Sequence, residues 1–493
     1  MVQDGARYLW CQSEGNRAIA IWATDRLTSL GERHVVWRAP RSGPYSREVW
    51  APELHKIGGR WHIYFAASDG RNENHLAYVL KSETADPLGA YTLHGPLYTG
   101  DDPAGKDGNV WAIDMTPLDH GGQLYALWSG WDAPGTDRQF LYIAPMRDGT
   151  ATAGPRVRLC ANDDYLWERT EERDGSRGLN EGPQILKHGG RTFVTYSCAA
   201  SWLPTYKLGL LELTGDDPLD PASWKKYPEP IFQSTAATYG VGHSCFVKSP
   251  DGREDWHVYH AKRDRDPGWR RAIFIQPFTW RADGLPDFGT PVAPGSALPR
   301  PSGEMPASAP ALPFECSLQD GLQGWSYYGH HQFLAEGEDG VHLGIVPDAP
   351  INDYRCGEKL VLDGLDVADV EVGVTIRVLD GERGNGLLFR ASAPSVGYDA
   401  HRGYFAGIIP TDQCVILGRM DGERWQELAR ADAKIERGRD YRLHVQARGP
   451  QIEVSLDGKA LLSHRDAAHS RGSVGIRVVR SHAVFSDFRC VGL

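Results

Sequence analysis

Pro52-Glu53-Leu54-His55-Lys56-Ile57-Gly58-Gly59-Arg60-Trp61-His62-Ile63-Tyr64-Phe65 reads as two short strands folded about a two-residue glycine turn. Such a turn needs positive φ at its centre, which Gly-Gly and Asp-Gly supply with little strain, so the stretch predicts an antiparallel hairpin. The pattern occurs in four other places. Val2–Trp10 holds Asp4-Gly5, and the segment after Asp114 holds Gly121-Gly122 before Leu124-Tyr125-Ala126-Leu127-Trp128. Glu181 is followed by Gly189-Gly190 and Phe193-Val194-Thr195-Tyr196, and His243 by Asp251-Gly252 and Trp256-His257-Val258-Tyr259. The second glycines stand at 5, 59, 122, 190 and 252, at intervals of 54, 63, 68 and 62 residues. That spacing suits a blade of four antiparallel strands, and five units predict an all-β, five-bladed β-propeller over residues 1–290.

The innermost strands of a propeller run the same way, so equivalent positions face one mouth of the central channel. Asp114, in Trp111-Ala112-Ile113-Asp114, lies seven residues before Gly121, and Glu181, in Asn180-Glu181-Gly182-Pro183, lies eight before Gly189. Both carboxylates are therefore expected at the same rim, an arrangement suited to acid/base chemistry. The equivalent position in the first unit falls before Met1, so the chain is expected to begin inside its first blade.

The rest of the 493-residue sequence bounds the reading. The length implies two to four domains by the usual size of a single core, roughly 100–200 residues each. With 53 Lys+Arg against 64 Asp+Glu and no basic block, nucleic acid is not an expected partner. Sixteen Trp and twenty Tyr supply core packing and, at a mouth, flat surfaces for sugar rings. The eight cysteines lack ligand spacing for zinc; Cys316 and Cys490, near the two ends of the second module, are candidates for a disulfide or free thiols. No run of eighteen apolar residues exists, and Met1-Val2-Gln3-Asp4-Gly5 is no leader, so neither a membrane span nor an export signal is expected in the sequence given. Location stays open: secreted or periplasmic if a leader lies upstream, cytoplasmic otherwise.

Residues 291–313 carry seven prolines among Ala, Ser and Gly and predict a semi-rigid linker. Beyond it, Val370–Ile376, Gly386–Arg390, Tyr441–Val445 and Ile452–Leu456 alternate as short strands, predicting a β-sandwich over 314–493.

Four motifs at blade spacing, Val49-Trp50-Ala51-Pro52-Glu53-Leu54-His55, Trp111-Ala112-Ile113-Asp114, Asn180-Glu181-Gly182-Pro183 and Gly240-Val241-Gly242-His243, resemble glycoside hydrolase family 43. The resemblance implies an inverting glycosidase with three carboxylates, in which Glu181 is the general acid and Asp114 the residue that orients it and tunes its pKa. It implies a general base in an Asp-Pro pair on the first inner strand, which this sequence does not contain. Asp4 matches only the turn downstream of that pair. Glu14, on the loop after the next strand, is a weak substitute and otherwise an ordinary turn acid. His243 is expected to point into the channel beneath the sugar, holding water or a cation, and Arg270 or Arg271 to meet a sugar hydroxyl or the acid. Trp50, Trp131 and Trp202 are expected in the pocket wall. No cofactor is expected to be required, and a structural calcium is compatible with the family.

Cleavage through an oxocarbenium-like transition state needs a proton for the leaving oxygen and a water on the opposite face, with about 6.5–9.5 Å between acid and base in an inverting site. Burial and the charge of Asp114 would both raise the pKa of Glu181 as the acid role requires. The Trp128-Ser129-Gly130-Trp131 stretch with Tyr142-Ile143-Ala144-Pro145-Met146 resembles the family's α-L-arabinofuranosidases. The expected activity is exo release of L-arabinofuranose from arabinose- or xylose-containing poly- or oligosaccharides, as in xylan degradation. The alternatives are a β-D-xylosidase, an exo-galactosidase, a fructan-acting enzyme, and an inactive sugar-binding propeller that lacks its base. In the second module, Gly386–Arg390, Gly403–Gly407 and Val415–Arg419 resemble concanavalin-like jelly rolls, particularly family 66 carbohydrate-binding modules. There Tyr404, Asp399 and Arg419 are conceivable sugar contacts, with core or rim roles as the alternative.

Overall fold

A computed structural model describes the chain except residues 30, 103–107, 263–264, 270, 320–321, 330–333, 345–356, 398 and 423. Five antiparallel sheets follow one another along the first part of the chain, four of them four-stranded and the third five-stranded. Their innermost strands are Val2–Asp4, Arg47–Ile57, Ala112–His120, Asn180–His188 and Tyr239–Lys248. The predicted glycine turns close the inner hairpins of blades two to four: Gly58 and Gly59 have φ of 56° and 78°, Gly121 and Gly122 61° and 82°, Gly189 and Gly190 57° and 80°. These are the left-handed conformations that make a tight turn follow the twist of its strands. The fifth turn differs from the two-residue form expected. Lys248 pairs with Asp255, and the six residues between them form a loop whose Ser249 and Asp251 side chains bind one another.

Each blade presents an apolar face to the next, and the core lies between blades. Leu9, Ile19 and Ile21 of blade one pack with Leu54, Ile63 and Leu80 of blade two. Tyr64 and Val79 pack with Met115 and Trp128 of blade three, whose Leu127 and Ile143 meet Val194 and Leu211 of blade four. Phe193 and Leu210 continue into Tyr259 and Phe278 of blade five. The ring closes where the Tyr8 hydroxyl of blade one donates to the Lys248 carbonyl of blade five at 2.7 Å.

Inner strands two to five carry a feature the hairpin pattern does not reveal. Each has a β-bulge near its start, where the pairing register shifts. A residue with left-handed backbone stands at each bulge: Ala51 (φ 44°), Asp114 (55°), Gly182 (56°) and His243 (53°). A bulge adds a residue to one strand and re-aims its side chains, which here happens at the channel mouth.

The chain forms two compact units, Met1–Thr28 with Arg33–Val292 and Arg300–Glu304, and Ser29–Glu32 with Ala293–Pro299 and Met305–Leu493. The proline-rich segment is thus not a free linker throughout. Glu304 is buried, its carboxylate accepts from the Thr28 backbone and hydroxyl, and Ser302 binds Asp251 and Glu254. Polar side chains between the prolines give this stretch partners that composition alone does not show.

The second unit holds an eight-stranded and a seven-stranded antiparallel sheet. The predicted strands fall inside Val370–Gly381, Asn385–Ser392, Asp440–Arg448 and Gln451–Leu456. Cys316 stands opposite Phe488, and Cys490 opposite Phe314, in the same strand pair, and both thiols are free. Cys356 lies outside the described residues.

Candidate active site

The bulge is why the two carboxylates meet. Asp114 is the bulge residue of blade three and Gly182 that of blade four, each seven positions before its turn; Glu181 stands one residue before Gly182. The Gly182 amide donates to Asp114 Oδ2 at 3.0 Å, so the backbone that carries Glu181 is tied to its neighbour's carboxylate. A side chain is tolerated poorly at Gly182, where a Cβ would stand 3.3 Å from the His243 ring in a left-handed backbone.

Glu181 and Asp114 are both buried. Desolvation is the largest influence on Glu181 and raises its pKa, and the Asp114 charge adds to it; His243, Tyr206 and Ser201 act the other way. Asp114 is pushed up to about 7, first by burial and then by Glu53, against the Gly182 amide and Arg271. Both carboxyl groups are thus raised first by burial, and the Asp114 charge further disfavours ionisation of Glu181. Glu181 Oε1 accepts from the Tyr206 hydroxyl at 2.8 Å, while Gln139 Nε2 approaches Oε2 at 3.4 Å. The firmer contact holds one oxygen and leaves the other as the one better placed to carry the proton.

His243 lies against Gly182 and its amide donates to Ser197 Oγ at 2.8 Å. Burial and the neighbouring Arg271 lower its pKa despite Glu181 and Glu53, so its imidazole is neutral at pH 7. Behind it the ring of His260 is stacked parallel to Tyr206, 5.4 Å away, and its Nε2 accepts from Arg271 at 3.0 Å. Arg271 thereby places a cation near Tyr206, Glu181 and Asp114. Arg270 lies outside the described residues. Neutral His243 is a suitable ligand for water or a cation, but among the described residues no group of three or more His, Cys, Asp or Glu side chains is disposed to hold a metal. A cation there would depend on water for most of its shell.

Around the tryptophans expected in the pocket wall, aromatic packing is more extensive than the sequence indicated. Trp50 stacks on the buried His75 at 3.8 Å, and Trp131 lies parallel to Trp111 at 4.9 Å. Trp111 and Trp131 are themselves buried, with Trp50, Val110 and Ile113 packed around them. Trp131 is thus a buried packing residue that backs Trp111, where the sequence led us to expect it lining the pocket. Trp202 follows Ser201, which bonds Glu181, and stands on the loop after the second strand of blade four.

Glu53 was not singled out in the sequence, although it stands in the motif that marks blade two. It lies two residues beyond Ala51, one layer deeper than the acid pair, and its oxygens accept from Gln184 Nε2 at 2.7 Å and face His55 Nε2 at 3.0 Å. It acts on the site through charge. Tyr206, His260 and Gln139 were likewise missed; they belong to later strands and loops, and no local pattern relates them to Glu181. Glu14 is the last residue of the second strand of blade one and not part of the loop after it, and its carboxylate is held by Arg33 at 2.6 and 2.5 Å. Asp4 ends its strand beside the turn and pairs with Lys56 at 3.0 Å. In the second unit, Tyr404 is buried and both it and Arg419 bind Asp466, while Asp399 accepts from Arg477. Those contacts fit structural roles.

The fold and this site define a five-bladed propeller with a buried carboxylate pair at the mouth of its channel. The model of the glycosyl hydrolases family 43 matches residues 1–286, and the chain belongs to that family. It is 38% identical over 272 residues to "Alpha-L-arabinofuranosidase 43" of Humicola insolens, covering 53% of this chain and 54% of that one. It is 34% identical over 244 residues to the "Extracellular exo-alpha-(1->5)-L-arabinofuranosidase" of Streptomyces chartreusis, covering 48% and 70%. The chain spans about half the length of most curated relatives it matches. Among solved structures, an α-L-arabinofuranosidase from Lactobacillus brevis superposes with a TM-score of 0.53 at 31% identity, covering 59% of this chain and 92% of that one.

Proposed function

We propose that the propeller is an exo-acting, inverting glycosidase domain that releases terminal L-arabinofuranose from arabinose-containing poly- or oligosaccharides. The observation that carries the reading is the buried Glu181, raised by burial and by Asp114 and held on one oxygen by Tyr206. Such a carboxyl group keeps a proton near neutrality and can deliver it to a leaving oxygen. Asp114 keeps the acid protonated before the reaction and, through the Gly182 amide, keeps it in place. Arg271 balances the charge that appears when the proton leaves. The relatives named as arabinofuranosidases support the choice of sugar; a β-D-xylosidase or exo-galactosidase would use the same acid pair.

The water on the far face needs a base, and the first inner strand, Val2–Asp4, holds no acid in the mouth layer. A second reading, an inactive sugar-binding propeller, corresponds to sugar being bound and not cleaved. The second unit is proposed to bind carbohydrate, and a structural calcium remains part of this proposal. Release of arabinose, xylose, galactose or fructose from arabinan, arabinoxylan, galactan and levan, assayed with the sequence given and with an Asp-Pro segment added upstream, tests the activity and its sugar. Arabinose release is expected. Binding of sugar with no release by either form would support the inactive reading.

A further inference from the structure

We propose that Trp269 and Trp202 form a leaving-group subsite, a platform for the sugar ring to which the released sugar is attached. The idea rests on the assignment of Glu181 as the acid. An acid protonates the leaving oxygen, so the rest of the substrate must lie on the acid's side of the pocket.

Two loops overhang that side. In each blade the second strand returns to the mouth, so the loop after it stands above the site. Blade four's loop runs from Ala199 to Tyr206, and Ser201 in it bonds Glu181 while Tyr206 closes it against the same carboxylate. Blade five's loop precedes Arg271, and the Gly268 amide ties it to the Trp202 carbonyl at 2.8 Å.

Trp269 is 53% exposed, unusual for a residue of its size. Its ring lies 5.5 Å from that of Trp202 at an angle of 56°, making a step rather than a closed stack. Each ring is backed by a cation: Arg177 stands 5.4 Å from the Trp202 centroid, and Arg271 5.3 Å from that of Trp269. Arg271 also reaches the acid pair electrostatically, so Trp269 is one side chain away from the chemistry. An exposed indole whose one side is taken by a guanidinium offers its remaining surface to the C–H face of a neutral sugar ring. The surface is aromatic rather than carboxylate-binding, and the ligand class is a furanose or pyranose of a neutral main chain.

The test compares two substrates of the full chain with its activity established: an α-(1→5)-linked arabinotriose, whose leaving group is a sugar, and methyl α-L-arabinofuranoside, whose leaving group has no ring. Trp269→Ala is expected to lower the ratio of kcat/KM for the triose over the methyl glycoside about three- to tenfold, through KM, and Trp269→Tyr to restore most of it. An unchanged ratio overturns the subsite. If the unsubstituted chain cleaves neither substrate, the proposed activity has failed for this chain, and the subsite is judged by binding. Quenching of tryptophan fluorescence by arabinotriose or xylotriose that weakens in Trp269→Ala supports it; the absence of quenching, or quenching unaffected by the substitution, overturns it.

Discussion

A carboxyl group that must hold a proton at neutral pH needs surroundings that penalise its charge; in the acid role proposed for it, Glu181 has burial and Asp114 for that. Replacing Asp114 by Asn removes one of the two raising influences. The acid's pKa then falls, and the basic limb of the kcat/KM profile is expected to move to lower pH. Tyr206→Phe is expected to move the same limb the other way, because it removes a hydrogen bond that favours the charged form. Opposite shifts in the two pH profiles are the check, and shifts of one sign would contradict the assignment. For Glu181→Ala, hydrolysis of an alkyl-linked arabinoside is expected to fall by about 10²–10⁴ and that of a nitrophenyl arabinoside far less, since nitrophenolate leaves without a proton. Both acids were legible in the sequence, because each sits in a short motif at fixed distance from a glycine turn. Glu53, Tyr206 and His260 were not, because what joins them to the pair is distance in space.

At the level of the strand, the informative feature is the bulge repeated in blades two to five. A regular strand would send alternate side chains to opposite faces and leave Asp114 and Glu181 out of step by one residue. The bulges re-aim the side chains beside them, and at this point the Gly182 amide meets Asp114. Gly182→Ala places a Cβ 3.3 Å from the His243 ring at φ 56°. Its expected effect is a stability loss of about 1–2 kcal/mol, measured by thermal unfolding, with a fall in kcat. A loss of kcat without any loss of stability would mean that the ring yields and only the acid moves. The hairpins were legible because Gly-Gly has few other uses; the bulges were not, since Ala51, Asp114 and His243 share no residue type.

For the molecule as a whole, the raised carboxylates make stability depend on pH. A folded Asp114 with a pKa of about 7, against 3.8 when unfolded, binds more protons folded than unfolded between those values. Below about pH 4 both states are protonated and nothing is lost; the penalty on folding accumulates as the unfolded carboxyl ionises while the folded one keeps its proton, and it is complete above about pH 7. Asp114→Asn is therefore expected to be more stable than the native chain at pH 8 by on the order of 1–4 kcal/mol relative to the same comparison at pH 4. Denaturant unfolding at the two pH values checks this. Residues 300–304 give a second expectation. A chain ending after Met305 keeps the Glu304 and Ser302 contacts and should melt about 2–4 °C or more above one ending after Val292, while loss of no heat stability would make the docked segment incidental. By itself the sequence determined the propeller, the number of its blades, the sandwich that follows and the two acids, because turn chemistry and strand alternation act over a few residues. Only the tertiary structure decided which side chains surround the acids, that Glu14 is spent on Arg33 and that part of the proline-rich segment folds back. Those outcomes depend on contacts between residues far apart in the chain, and on the desolvation that only a closed ring of blades produces.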